Sequence, residues 1–154
     1  MKHGWNSLKN YLHIHEKVLD QYSKFMQFPK TYVIEKVTDN YYSLVCTGIH
    51  FNTVRGQVIR VDISKDVDID ATIKKRPQAR TARYSYCASK PGSDGWCIIR
   101  YDSPHADAEK KGVPAHHKHH HRHDFRSGRK SIKIFDCDDW PHVSEFLSEV
   151  YNTL

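Results

Sequence analysis

The run Pro114-Ala115-His116-His117-Lys118-His119-His120-His121-Arg122-His123 puts six imidazoles into ten residues. Packing does not call for that density, because a buried imidazole must find partners for both ring nitrogens. What such a run offers is proton transfer near neutral pH, or metal ligation. Upstream stands Arg100-Tyr101-Asp102-Ser103-Pro104-His105. A strand that holds Arg100 and Tyr101, followed by a loop that folds back, brings His105 beside His116, His117 and His119. One imidazole can then take the proton of a ribose 2′-hydroxyl while another protonates the leaving oxygen of an RNA phosphodiester. In this scheme Arg100 and Lys118 stabilise charge on the phosphorane, Asp102 orients a ring, and Tyr101 positions or stacks a base. Arg83, Arg122 and Arg126 add phosphate contacts.

That chemistry needs no metal. The competing reading is a zinc or nickel site in the same run, with His117 and His119 or His121 as alternating ligands from an extended segment. The run offers many candidate ligands and no cysteine pair to close a fixed set. A polar loop without a role is the third reading. Gly-rich phosphate loops, Ser/His/Asp order and nucleophile elbows are absent.

At 154 residues the chain is one domain, 1–154, and its formal charge of +6 before any of twelve histidines is counted points to an anionic partner such as RNA. No apolar run approaches the roughly 18 residues of a membrane span, and Met1-Lys2-His3-Gly4-Trp5 lacks an apolar export segment. The expected compartment is the cytoplasm. Cys46, Cys87, Cys97 and Cys137 contain no Cys-x-x-Cys pair and read there as buried thiols.

Periodicity supplies the frame. Leu8, Tyr11, Leu12, His15, Val18, Leu19, Tyr22, Phe25 and Met26 recur at helical spacing, which predicts a helix over 6–27 capped by Asn6 or Ser7. His15 falls on its apolar stripe as a satisfied core or boundary residue. The period then changes to two, predicting a sheet over 31–102: strands Tyr32 to Val37, Tyr41 to Thr47, Val54 to Ile63, Asp66 to Ile73, Arg83 to Ala88 and Trp96 to Asp102. Asp66, Asp68 and Asp70 read as a solvated face on a sheet edge, and Lys74 to Arg80 as a basic connection. Lys90 to Gly95 joins a hairpin in which Cys87 faces Cys97 as a packed thiol. A His-rich loop follows over 103–130, then a last strand and helix over 131–154, with Asp138 and Asp139 as helix caps and His142 at the surface. The expected class is α+β: an antiparallel sheet of about six strands, packed on one face by an N-terminal and a C-terminal helix.

Arg83-Tyr84-Ser85-Tyr86, Arg100-Tyr101-Asp102-Ser103-Pro104-His105 and Pro114-Ala115-His116-His117-Lys118-His119 together resemble the TumE-like proteins of prokaryotic toxin–antitoxin modules. Those proteins carry a Tyr-Ser-Tyr strand, an Arg-aromatic-Asp-Asn-Ala-Pro-His segment and a Pro-His-His-x-His loop. The resemblance covers roughly residues 80 to 154. Ser103 stands where the family usually has Asn, one residue of the Asn-Ala-Pro-His stretch is missing, Ala115 separates Pro114 from the paired histidines, and the run extends to His123. The resemblance implies a cytoplasmic toxin neutralised by a cognate antitoxin, in many such modules a helix-turn-helix protein. Joined to the charge and the histidines, it leads to a metal-independent ribonuclease as the expected function. The alternatives are a non-catalytic nucleic-acid or protein-binding module and a His-ligated metalloprotein.

Overall fold

β-Branched and aromatic residues alternating with polar ones make strand the largest share of this chain's regular structure. The computed structural model describes residues 2–94 and 96–154, so Gly95 of the expected hairpin turn lies outside the described residues. In chain order the elements are β1 (Asn6–Ser7), α1 (Leu8–Tyr22), a 3₁₀ turn (Ser23–Phe25), β2 (Val33–Thr38), β3 (Tyr41–Asn52), β4 (Val58–Asp70), β5 (Gln78–Ser89) and β6 (Cys97–Asp102). A second 3₁₀ turn (Ala115–Lys118), β7 (His120–Asp124), β8 (Ser131–Phe135) and α2 (Val143–Thr153) follow. One eight-stranded sheet runs in the order β2-β3-β4-β5-β6-β7-β8, with β1 against β5. Every pairing is antiparallel. The protein is therefore α+β, an antiparallel sheet with a helix at each end of the chain.

A single apolar core joins the helices to the sheet. Tyr11, Val18 and Leu19 of α1 and Val143, Phe146, Leu147 and Val150 of α2 pack on Phe51, Ile63, Tyr86, Ile99 and their neighbours. Each large apolar side chain buried this way contributes about 1.5–3 kcal/mol. Ser7 caps α1 by accepting from the Asn10 N–H. The helix ends at Tyr22, short of residue 27, because Met26 bridges to Phe51 and the Gln27 N–H donates to the His50 carbonyl at 2.9 Å, which turns the chain into the sheet. At α2 the cap is His142, not Asp138 or Asp139. Its ring accepts from the Ser144 N–H while the Glu145 carboxylate accepts from the His142 N–H at 2.6 Å, a capping box.

Several expected boundaries move for identifiable reasons. The segments Val54 to Ile63 and Asp66 to Ile73 are largely one strand, β4, in which Ile59, Val61, Ile63, Lys65, Val67 and Ile69 all face the core. Lys65 keeps the period of two; only its charge made the sequence read as broken there. The strand is central, so its aspartates lie on no edge. Asp66 and Asp68 pair with Arg83 and Arg80 of β5, at 3.4 and 3.3 Å. Gly48, just past the expected strand end at Thr47, supplies a left-handed φ of 68° at a bulge inside β3, and its N–H donates to Asp62.

The segment expected as a loop over 103–130 contains β7. Cys87 and Cys97 are bridged as a disulfide, not packed as thiols. A bulge at Ala88 and Ser89 sets Cys87 opposite Arg100 in the ladder and leaves the Cys97 Cα 5.7 Å away, within bridging range. Cys46 is buried as expected, and Cys137 is exposed. Among the described residues, no helix is long and apolar enough to cross a membrane.

Candidate functional site

Alternation along β6 and β7 sorts their side chains between the two faces of the sheet. Tyr101 and Arg122 oppose each other and point toward α2, where the Tyr101 hydroxyl donates to Glu149 at 2.6 Å and the Arg122 guanidinium donates to the other oxygen of the same carboxylate. Their neighbours Arg100 and Asp102 on β6, and His121 and His123 on β7, therefore face the side without helices. There Asp102 lies opposite His121 and Arg100 opposite His123.

The segment after β6 then folds back over this face. Ser103 anchors its start, because its hydroxyl accepts from the Tyr84 N–H at 3.1 Å and its own N–H donates to the Tyr84 carbonyl. The His105 N–H donates to the His117 carbonyl at 2.8 Å, tying the two loop arms together. Five imidazoles converge as a result. Ring centroids of His105 and His117 are 3.9 Å apart, His116 and His117 4.5 Å, His116 and His121 5.0 Å, and His121 and His123 4.9 Å.

Asp102 is buried beneath them, accepting from Arg100 Nε at 2.7 Å and from the Ser85 hydroxyl at 2.8 Å. It orients Arg100 at the wall of a groove of about 380 Å³. His105, His117 and His123 open onto this groove, and Lys130, Trp96 and Phe125 line it further. Burial lowers the pKa of His105, His116 and His121, with the charge of neighbouring imidazoles and Arg100 or Lys130 adding to it. His123 is lowered to about 4 by burial, then by Lys130. The inner rings thus sit as neutral lone-pair donors at pH 7.

Of the residues singled out in the sequence, the structure brings His105, His116, His117, Asp102 and Arg100 together. It separates the others. Tyr101 is on the opposite face, committed to Glu149. His119 is exposed at the end of the 3₁₀ turn, outside the cluster. Lys118 is exposed and pairs with Glu109 at 3.2 Å. Arg122 and Arg126 bind Asp124 and Glu149 on the α2 side. Arg83 stays on the open face, paired with Asp66 in a smaller pocket of about 280 Å³ beside Arg100.

Two features escaped the sequence reading. His123, and His121 beyond its place as an alternative metal ligand, are central to the cluster, and their spacing of two is a strand signal that the missing apolar residues of β7 concealed. The second is a group under α1. Lys65, 1 % exposed, places Nζ 2.8 Å from His15 Nε2, while His15 Nδ1 donates to the Tyr11 carbonyl at 2.8 Å. Burial pushes the Lys65 amine down to about 7. His142 lies 5.3 Å from His15, half-buried and not on the surface, and His3 stacks on Trp140 at 3.2 Å.

Fold and site together define an α+β protein whose sheet carries its helices on one face and an imidazole cluster on the other. No protein-family model matches the chain, and no curated protein or solved structure does either.

Proposed function

We propose that the groove cleaves phosphodiester bonds of single-stranded RNA, and that the protein is the toxin of a toxin–antitoxin pair. The observation that carries the reading is the half-buried pair His105 and His117, rings 3.9 Å apart, opening on a groove walled by cations and flat rings. The neutral imidazole of the pair accepts the proton of a ribose 2′-hydroxyl, whose oxygen attacks phosphorus. The protonated one gives its proton to the departing 5′-oxygen. A 2′,3′-cyclic phosphate and a 5′-hydroxyl result, and the number of protons on the pair is unchanged. Burial, and then the neighbouring His117, lowers the pKa of His105, which makes His105 the ring suited to accept the proton.

Arg100, held by Asp102, and Lys130 meet the phosphate oxygens. Trp96 and Phe125 offer ring faces to the bases, where stacking is worth about 1–3 kcal/mol per base. No step is routed through a metal. The resemblance to the TumE-like proteins supplies the biological setting: a cytoplasmic toxin held in check by a cognate antitoxin, of the helix-turn-helix kind in many such modules.

The test is to incubate the purified protein with a single-stranded RNA and with the DNA of the same sequence. The expected result is RNA fragments ending in 2′,3′-cyclic phosphate and intact DNA, since DNA lacks the nucleophile. RNA left whole while it binds in a salt-dependent manner would replace the nuclease with a non-catalytic nucleic-acid module.

A further inference from the structure

Beneath the groove pair lie three ring nitrogens that nothing satisfies. His116 Nε2, His121 Nε2 and His123 Nδ1 are buried and have no hydrogen-bond partner. His121 is 0 % and His123 8 % exposed, so both rings are shielded from bulk solvent. A buried polar atom left unpaired costs about 1–3 kcal/mol, and three in one place need a reason. His121 shows one. Its Nδ1 lies 2.8 Å from the His119 carbonyl, which can only accept. The proton is therefore on Nδ1, and Nε2 presents a bare lone pair to the cluster. A backbone carbonyl that fixes the outer nitrogen and aims the inner one is the arrangement that orients metal-ligating imidazoles.

We infer that His116 Nε2, His121 Nε2 and His123 Nδ1 together hold one divalent first-row transition-metal cation, of the zinc class. Ligand atoms of these three residues and of His117 all lie within 4.8 Å of one another. Bonds of about 2.0–2.1 Å around one zinc ion require only that the rings tilt inward. Imidazole donors without carboxylate or thiolate suit zinc, copper and nickel, not calcium or magnesium. His117 lines the groove and has no ring nitrogen among the buried, unpartnered atoms, so it stays with the groove. His119 and His120 are excluded: His119 is exposed, and His120 turns to the other face to meet the Tyr84 hydroxyl at 3.2 Å. This inference is independent of the nuclease reading, because it is read out without RNA.

The experiment titrates the chelator-treated full chain with Co²⁺ alone, followed by its visible absorption, and then displaces it with Zn²⁺. The expected result is one equivalent of cobalt with the intense bands of four-coordination, lost on adding one equivalent of zinc. His116→Ala, on the 3₁₀ turn outside the sheet, and His121→Ala weaken binding by about a hundredfold or more, whereas His119→Ala changes it less than about twofold and His117→Ala less than about tenfold. Should His121→Ala fail to fold, judged by circular dichroism, His116→Ala decides alone. Binding by several weak equivalents, or binding that His116→Ala leaves at the strength of His119→Ala, would mean adventitious capture by a histidine-rich surface and overturn the inference.

Discussion

The two faces of the sheet each gather imidazoles, and they treat them in opposite ways. Under α1, His15 spends both ring nitrogens, one on the Tyr11 carbonyl and one on Lys65, while His3 bonds the Trp140 carbonyl at 2.7 Å and His142 closes a helix cap. Among the described residues, none of these three leaves a buried ring nitrogen without a partner. On the helix-free face His116, His121 and His123 do. Satisfied nitrogens fix a fold; orphaned ones are held ready for something the chain itself does not supply. The first set is built into the fold and the second is the candidate site, although both have lowered pKa values from the same first cause, burial. A depressed pKa therefore does not distinguish them here, whereas the hydrogen-bond inventory does.

The largest expected effect is on the open face. The double change His105→Ala and His117→Ala should lower RNA cleavage by on the order of a thousandfold or more, since each proton transfer contributes about 10²–10⁴. The same double change should leave the urea midpoint nearly unmoved, because both rings are only half-buried at the groove. His15→Ala, by contrast, should leave cleavage per folded molecule intact. A variant of the open face that kept full cleavage would erase the distinction between the two regions.

Next in size is a pH effect confined to the other face. Lys65 is faced by His15 of α1, His142 at the start of α2, His3 of the N-terminal segment and the Tyr86 ring of β5. Among the described residues, no carboxylate is bonded to it. Its folded pKa of about 7 lies below the ordinary 10.5 because burial disfavours the ammonium. Between those values the unfolded chain holds a proton that the folded chain does not, so the unfolded state binds more protons and stability rises with pH. From pH 7 to pH 10 the gain should be on the order of 3 kcal/mol, measured by urea unfolding at a series of pH values. Lys65→Met should flatten that rise. A Lys65→Met profile parallel to the wild type would show that the amine stays charged in the folded protein.

How these regions were read from sequence follows from their physics. The α+β class, the core stripes of α1 and α2 and the order of the strands were legible, because apolar residues at periods of 3.6 and 2 announce which face is buried. β7 was not. Its residues His120 to Asp124 contain no β-branched or aliphatic side chain, and its alternation serves an imidazole cluster on one face and ion pairs to Glu149 on the other. Lys65 was hidden in the same way: a charge in the apolar phase of β4 read as a strand end, when its partner His15 lies 50 residues away in sequence. Tyr101 was given to the site for standing between Arg100 and Asp102, but adjacent residues of a strand face opposite ways. Sequence order drew the candidate residues from segments that the fold brings together and could not divide them between faces.

A smaller effect probes the unsatisfied nitrogens directly. His15→Ala removes two hydrogen bonds and opens a cavity under α1, which should cost about 3 kcal/mol. His123→Leu, of similar volume, discards a ring whose Nδ1 has no partner. In chelator-treated protein it should change stability by less than about 1 kcal/mol, in either direction. Chemical unfolding of both variants without metal gives the comparison. A loss for His123→Leu equal to that for His15→Ala would mean that the open-face ring is as much a part of the fold as the buried one.

The smallest effect concerns which cations meet the nucleic acid. Lys118 and Lys130 are both exposed lysines near the histidine run, but Lys130 lines the groove whereas Lys118 leans away to Glu109. A lysine that touches a phosphate releases a counterion on binding, so its removal should weaken RNA affinity about tenfold and reduce the salt slope by about one. That is the expectation for Lys130→Ala. Lys118→Ala should shift affinity less than about twofold and leave the slope unchanged, because an exposed pair with Glu109 adds little field at the groove. Filter binding of a short single-stranded RNA at several salt concentrations separates the two, and equal slopes for both variants would place the backbone path across the 3₁₀ turn and away from the groove between Arg100 and Lys130.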